Sequence, residues 1–237
     1  MKIFMMGDST MKFNNYFSYP QTGWGQVLHL FAKNNVLIED HAENGRSTKS
    51  FIDEGRFDVI LNRLNKGDYV ICQFGHNDEK KQDETRYTEP YGTYQENLKY
   101  FADKVHEKGA NIVYATSITR HKFINGVCVN SHMDYPQAML DFCKDNGYTC
   151  IDLNKLTIDL YTKLGEEGTK KFHMIFPENT YSNYIEGKDD HSHLMHDGAI
   201  MICELFVREI LNSNDPIKEC FINLDEKDPI DWKMLVD

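Results

Sequence analysis

Three side chains suited to acyl transfer stand at opposite ends of this 237-residue chain. Near the N-terminus an apolar run, Ile3-Phe4-Met5-Met6, breaks at Gly7 into Asp8-Ser9-Thr10. A hydroxyl at the end of a buried strand, just past a glycine, is placed where a hydrolytic nucleophile would stand. Near the other end, Asp190-His191-Ser192-His193 supplies a carboxylate and an imidazole three residues apart. A serine hydroxyl is a poor nucleophile at neutral pH and needs a neighbouring base. His193 can accept the Ser9 proton and return it to a leaving alcohol. Asp190 would hold the other ring nitrogen, fixing the tautomer and stabilising the imidazolium. Asp8 is read as a brace for its own turn and not as the acid.

The elements that must bring these ends together are legible in the apolar pattern. Short apolar runs at 2–6, 36–41, 69–74, 111–117 and 149–153 predict strands. Between them lie predicted helices at 25–33, 48–65, 91–108 and 136–146, with further ones at 153–164 and 199–211. Lys108-Gly109 and Asn146-Gly147 supply C-terminal stop signals. Apolar strands separated by helices imply a parallel sheet covered on both faces, joined by right-handed crossovers. The expectation is an α/β fold, a three-layer flavodoxin-like α/β/α sandwich around a five-stranded parallel sheet. Ligands of such sheets bind at the C-terminal strand ends. That rim would carry residues 7–10, 43–48 and 75–78.

Composition narrows the partners. Hydrophobic residues make up 41% of the chain, enough for a substantial core. The formal net charge is −11 with no Lys/Arg cluster, which argues against a nucleic-acid partner. No stretch approaches the ~20 apolar residues of a membrane span, and no signal peptide is visible, so a cytoplasmic location is expected. The six cysteines lack CxxC spacing and read as free thiols. One domain is expected over residues 1–213. Residues 214–237 form an acidic tail, with Pro216, Pro229 and Trp232, packing on the domain or on a partner subunit. The oligomeric state is left open.

After the second strand the chain reads Glu43-Asn44-Gly45-Arg46-Ser47, and after the third Phe74-Gly75-His76-Asn77-Asp78. With Gly7-Asp8-Ser9 and Asp190-x-x-His193, these blocks resemble the SGNH, or GDSL-type, hydrolase superfamily in order and spacing. The Asn44-Gly45-Arg46-Ser47, Gly75-His76-Asn77-Asp78 and His193-Leu194…Gly198-Ala199 stretches look most like the rhamnogalacturonan acetylesterases. The resemblance implies Ser9 as nucleophile with Asp190 and His193 completing the triad. It also implies an oxyanion hole made by the backbone N–H groups of Ser9 and Gly45 and the Asn77 amide. Losing one such donor typically costs roughly 10²–10³ in kcat. Each block alone has a plainer reading: a helix cap at Asp8-Ser9, a turn glycine at Gly45, an Asx turn at Asn77-Asp78, a structural histidine at His76. Their joint occurrence favours the catalytic one.

The resemblance implies a serine esterase that removes O-acetyl groups from carbohydrate, with acetylated pectic oligosaccharides as substrate and no cofactor. Arg46, Trp24, Arg120 and His121 are the candidate substrate-binding residues: the cations, with Lys49, for an anionic galacturonate and Trp24 for a sugar face. Ordinary solvated charges and a packed Trp24 are the competing readings. The runner-up functions are a lipase- or thioesterase-type acyl hydrolase and a metallohydrolase. His191-x-His193-x-x-His196-Asp197 superficially resembles a metallo-β-lactamase-type zinc cluster, but Met195 stands where that pattern needs Asp. No metal is expected. Because His193 must be neutral to act as base, kcat/KM should rise through the ordinary imidazole range, about pH 6 to 7. A profile flat from about pH 5 to 8 contradicts a histidine base.

Overall fold

Ile3 and Met5 of strand β1 (Lys2–Gly7) belong to one hydrophobic core, Phe4 and Met6 to another. Successive strand residues point to opposite faces, so a strand apolar at every position must be covered on both sides. The computed structural model, which describes residues 1–224, shows that arrangement. β1 pairs in parallel with β2 (Leu37–Asp40) and β3 (Tyr69–Gln73). β4 (Asn111–Ala115) and β7 (Cys150–Ile151) complete a five-stranded, all-parallel sheet of order β2-β1-β3-β4-β7. Two small antiparallel hairpins lie outside it. They are β5 (Phe123–Ile124) with β6 (Val127–Cys128), and β8 (His173–Phe176) with β9 (Lys188–Leu194).

Core residues of α1 (Trp24–Val27), α6 (Leu153–Leu164) and α8 (His196–Asn212) pack with Ile3 and Met5. Those of α2 (Thr48–Asp53), α3 (Arg56–Leu61), α4 (Gln95–Glu107) and α5 (Tyr135–Asn146) pack with Phe4 and Met6. A short α7 (Glu166–Thr169) follows α6. Strand order reverses between β1 and β3, so the loops leaving them diverge and open a crevice at the C-terminal rim.

Each predicted strand forms within two residues of its expected bounds. The helix expected over 48–65 is instead two, α2 and α3, because Gly55 turns left-handed with φ +68°. The one expected at 25–33 is α1 followed by a 3₁₀ turn at Leu28–Phe31. Past 213, a 3₁₀ turn at Pro216–Cys220 tucks Ile217, Cys220, Phe221 and Leu224 into the core beside α8. The rest of the expected tail, with Pro229 and Trp232, lies outside the described residues.

The C-terminal ends of the first three strands lead to inward-facing carboxyls: Asp8, Asp40 and Asp78. Asp40 is partly exposed as a residue, yet its Oδ2 is buried close to Gly25. Among the described residues the Oδ2 of all three lacks a hydrogen-bond partner. Asp78 Oδ1 accepts from the Thr48 N–H at 3.0 Å, the Thr48 hydroxyl at 2.6 Å and the Thr88 hydroxyl at 3.1 Å. Burial nevertheless outweighs those donors and raises Asp78 to about 7; burial likewise raises Asp8 to about 6 and Asp40 to about 7.

A carboxyl whose value is raised by folding binds its proton more tightly in the folded chain. Its contribution is complete below the unfolded value and is lost as pH rises through the folded one. Stability from these groups should therefore fall between about pH 4 and 7. Asp78→Asn keeps an acceptor for Thr48 and removes the buried charge. Its melting temperature should exceed that of the parent at pH 8, by about 2–4 °C per kcal/mol of penalty removed, and converge with it near pH 4. A difference that does not change with pH would contradict this reading.

Candidate active site

Ser9 sits in the turn after β1, and the buried residues around it fix that turn. Asp8 Oδ1 accepts from the Thr10 N–H at 3.0 Å and the Thr10 hydroxyl at 2.8 Å. The Thr10 hydroxyl in turn accepts from Gln73 Nε2 at 2.7 Å, and Gln73 Oε1 accepts from the Trp24 indole N–H at 2.7 Å. Asp8, Thr10, Gln73 and Trp24 are all buried, while Ser9 is partly exposed. A buried network of this kind is rigid, because breaking any link strands a further polar group away from water.

Asp190 and His193 both lie on β9, not in a helical turn. Met174 of β8 faces Asp190 and the neighbouring His173 faces Leu194, so three residues of β9 bulge out with no partner opposite. That bulge brings residues 190 and 193 face to face. His193 Nδ1 is 2.8 Å from Asp190 Oδ2, and His193 Nε2 is 2.9 Å from Ser9 Oγ. Asp190 Oδ1 also accepts the N–H groups of Ser192 at 2.9 Å and His193 at 3.1 Å. Burial pushes the Asp190 carboxyl up, but the His193 hydrogen bond and charge and the two backbone donors more than offset it. They hold it well below the usual carboxylate range. It is therefore charged at neutral pH, with Nδ1 carrying the proton and Nε2 free to take one from Ser9. Thr22 N–H donates to the Leu194 carbonyl at 2.9 Å and ties the segment after Ser9 to the end of β9.

The loop after β3 approaches from the other side of the crevice. Gly75 has φ +143°, and a Cβ there would stand 2.3 Å from the Ser117 hydroxyl, so no other residue fits. Asn77 donates through Nδ2 to the Arg46 carbonyl at 3.1 Å and accepts from Arg86 Nη1 at 3.5 Å. One Nδ2–H is used, which leaves the second for another acceptor. Gly45, next to Arg46, has φ +74°, and a Cβ there would meet only Arg86 Nη1 at 3.5 Å. Backbone conformation, not lack of room, is what calls for glycine at 45. Among the described residues, neither the Ser9 nor the Gly45 backbone N–H donates to any group. A cavity of about 630 Å³ opens beside Gly45 and is lined in part by Arg46, Lys49, Glu54, Glu84 and Arg86.

Two of the candidate substrate-binding residues are corrected outright. Trp24 is wholly buried against Phe206, with ring centroids 5.3 Å apart, and its N–H is spent on Gln73, so it offers no face to a sugar. His121 is also buried, its ring nitrogens 3.0 Å from His191 Nδ1 and 2.9 Å from the Glu166 carbonyl. Arg120 is committed internally as well: its guanidinium binds Glu79 at 2.5 Å, the Ser192 hydroxyl at 3.1 Å and the Ser131 carbonyl at 3.0 Å. It braces Ser192, one of the two residues between Asp190 and His193. Arg46 does reach the cavity, but it pairs with Glu54 at 2.9 Å. Arg86 pairs with Asp83 at 2.6 Å and Lys49 donates to the Glu84 carbonyl at 2.6 Å; with Asp53, Glu54 and Glu84 also lining the cavity, the expected basic patch is charge-balanced.

Burial pushes His76 well below the ordinary imidazole value, and His132 and Arg120 add to the effect, so His76 is neutral. Among the described residues no three His, Cys, Asp or Glu side chains converge on a metal position. Sequence reasoning missed Gln73 and Arg86. Gln73 had a signal, as a lone amide closing the apolar strand Tyr69–Gln73; Arg86, in a polar loop, had none.

The comparisons with known proteins agree with this geometry. The family model described as GDSL-like Lipase/Acylhydrolase matches residues 3–205. The chain is 36% identical over 231 residues to the rhamnogalacturonan acetylesterase RhgT of Bacillus subtilis (strain 168), covering 97% of this chain and 98% of that protein. It is 25% identical to a rhamnogalacturonan acetylesterase of Emericella nidulans, covering 94% of this chain and 90% of that one. Among solved structures it is similar to the Bacillus subtilis protein YxiM, with TM-score 0.76 and 26% identity over 89% of this chain and 56% of that chain. A catalytic mutant of Axe2, an acetylxylan esterase of Geobacillus stearothermophilus, shares the fold at TM-score 0.62 and 12% identity, over 88% of this chain and 93% of that one. With a parallel α/β sheet, a Ser9–His193–Asp190 chain of hydrogen bonds and a family model spanning most of its length, the protein belongs to the GDSL-like lipase/acylhydrolase family and is a carboxylic ester hydrolase.

Proposed function

We propose that this protein is a serine acetylesterase that removes O-acetyl groups from pectic, rhamnogalacturonan-type oligosaccharides through an acyl-enzyme. The observation that carries the mechanism is the unbroken line from Ser9 Oγ to His193 Nε2 at 2.9 Å and from His193 Nδ1 to Asp190 at 2.8 Å. Both contacts lie within proton-transfer reach without rearrangement. Ser9 Oγ attacks the acetyl carbonyl while His193 takes its proton. The carbonyl oxygen, now negative, is taken up by the Ser9 and Gly45 N–H groups and the spare Asn77 N–H, none of which has another acceptor among the described residues. Collapse expels the sugar alcohol, which leaves with the proton from His193. Water then repeats the sequence on the acetyl-serine and releases acetate. Asp190 remains a carboxylate throughout and stabilises the imidazolium.

The choice of acetylated pectic sugar is supported by the relatives named above, two of which are rhamnogalacturonan acetylesterases. A lipase- or thioesterase-type specificity would use the same machinery on a longer acyl group. Acetate release from native, compared with chemically deacetylated, rhamnogalacturonan oligosaccharides should be rapid and confined to the acetylated material. p-Nitrophenyl octanoate should be cleaved more slowly than the acetate; the reverse order removes the acetyl assignment. Asn77→Ala should lower kcat roughly 10²–10³-fold with little change in KM, since its donor meets charge that develops only in the transition state. A KM effect at unchanged kcat would move Asn77 from oxyanion binding to substrate binding.

A further inference from the structure

Exposed aromatic side chains stand on the segment that follows the Ser9 turn. Tyr16 is 74% exposed, Phe17 83%, Tyr19 56% and Phe13 59%; Ile185, 66% exposed, follows Asn183 and Tyr184, which bond this segment. Aromatic residues left this open in a contiguous group mark a binding surface, since burying them elsewhere would be favourable. Scattered Leu or Val residues on a surface carry no such meaning.

The group is held rigidly. Asn183 Nδ2 donates to the Tyr16 carbonyl at 2.7 Å and the Tyr19 carbonyl at 3.0 Å, and the Tyr184 hydroxyl donates to the Ser18 carbonyl at 3.3 Å. Tyr19 meets the Tyr181 ring edge-on at 5.7 Å, and Tyr181 packs on Phe176 at 4.7 Å. The segment 13–20 is thus clamped to the segment 177–187. The first begins four residues after Ser9, and the second ends three residues before Asp190. Thr22 and Tyr181 also tie the two segments to Leu194 and Met195, directly after His193.

We propose that Tyr16, Phe17 and Tyr19 form the platform on which sugar rings next to the acetylated residue are held, making them specificity residues for oligosaccharide over small ester. This rests on the carbohydrate-esterase reading above. A pyranose ring presents C–H groups on its faces and hydroxyls on its edges. The C–H face is weakly positive and lies well on the negative face of an aromatic ring, while the edges stay in water. The platform needs no anion-binding group.

The test is the double variant Tyr16→Ala/Phe17→Ala, with Val59→Ala, an exposed apolar residue of α3, as control. The readout is the ratio of kcat/KM on acetylated rhamnogalacturonan oligosaccharide to that on p-nitrophenyl acetate. That ratio should fall about tenfold through KM in the double variant, and stay at the parent value in the control. Titration of inactive Ser9→Ala protein with the oligosaccharide should show the same loss of affinity when the two rim changes are added. An unchanged ratio, with the parent deacetylating the oligosaccharide, rejects the platform alone. A parent that cleaves p-nitrophenyl acetate but no acetylated sugar rejects the carbohydrate reading and the platform with it. A parent dimer that the double variant splits, with the ratio unchanged, identifies the rim as a subunit contact and overturns the proposal.

Discussion

The hydrogen bond between Ser9 and His193 joins residues 184 positions apart, and the architecture of the chain serves that contact. Neither partner could be placed by local structure. Ser9 is fixed by the buried line Trp24–Gln73–Thr10–Asp8, which spans the two central strands of the sheet. His193 is fixed by Asp190 across a bulge in β9, and by Arg120, which reaches in from beyond β4 to hold Ser192. Two rigid supports on different parts of the fold therefore converge to 2.9 Å. A site on strand ends and braced turns is positioned more tightly than one on free loops, and acyl transfer is sensitive to displacements of about 1 Å.

Aspartates of one chemical kind have opposite fates here, and their surroundings decide which. Asp190 collects an imidazole and two backbone N–H groups, so its charge is favoured despite burial. Asp78 and Asp8 are deeper, their donors converge on one oxygen, and the second oxygen lacks a partner among the described residues. Burial prevails at those two positions. The carboxyl held most firmly as a carboxylate is thus the one in contact with the histidine, where an imidazolium must be stabilised. The two more readily protonated ones brace the loops that carry Ser9 and Asn77, where added negative charge would oppose a developing oxyanion.

Much of this was legible in the sequence, for identifiable reasons. The central strands announced themselves because burial on both faces demands continuous apolar runs such as Ile3-Phe4-Met5-Met6. Ser9, Asp190 and His193 announced themselves because acyl transfer demands those residue types, and their motif spacing is fixed by the turns that hold them. The β8–β9 hairpin gave no such signal. Its strand Lys188–Leu194 is polar at six of seven positions, and the contact between residues 190 and 193 depends on a bulge that pairing with β8 creates. The substrate-side residues were the least legible. Trp24 and His121 look, by type, like sugar-binding groups, and only the packing of α1 against α8 and of His121 against His191 shows that both are turned inward. The rim aromatics Tyr16 and Phe17 look, by type, like core residues and are turned out.

The central claim is that the hydroxyl at position 9 is made nucleophilic by the imidazole at 193. Intact-mass measurement after treatment with a fluorophosphonate tests it without reference to any sugar. One adduct should form on the parent chain, mapping by peptide fragmentation to Ser9. None should form on Ser9→Ala, and labelling of His193→Ala should be slowed by orders of magnitude. An adduct on another residue, or labelling that proceeds at the parent rate without His193, would contradict the account.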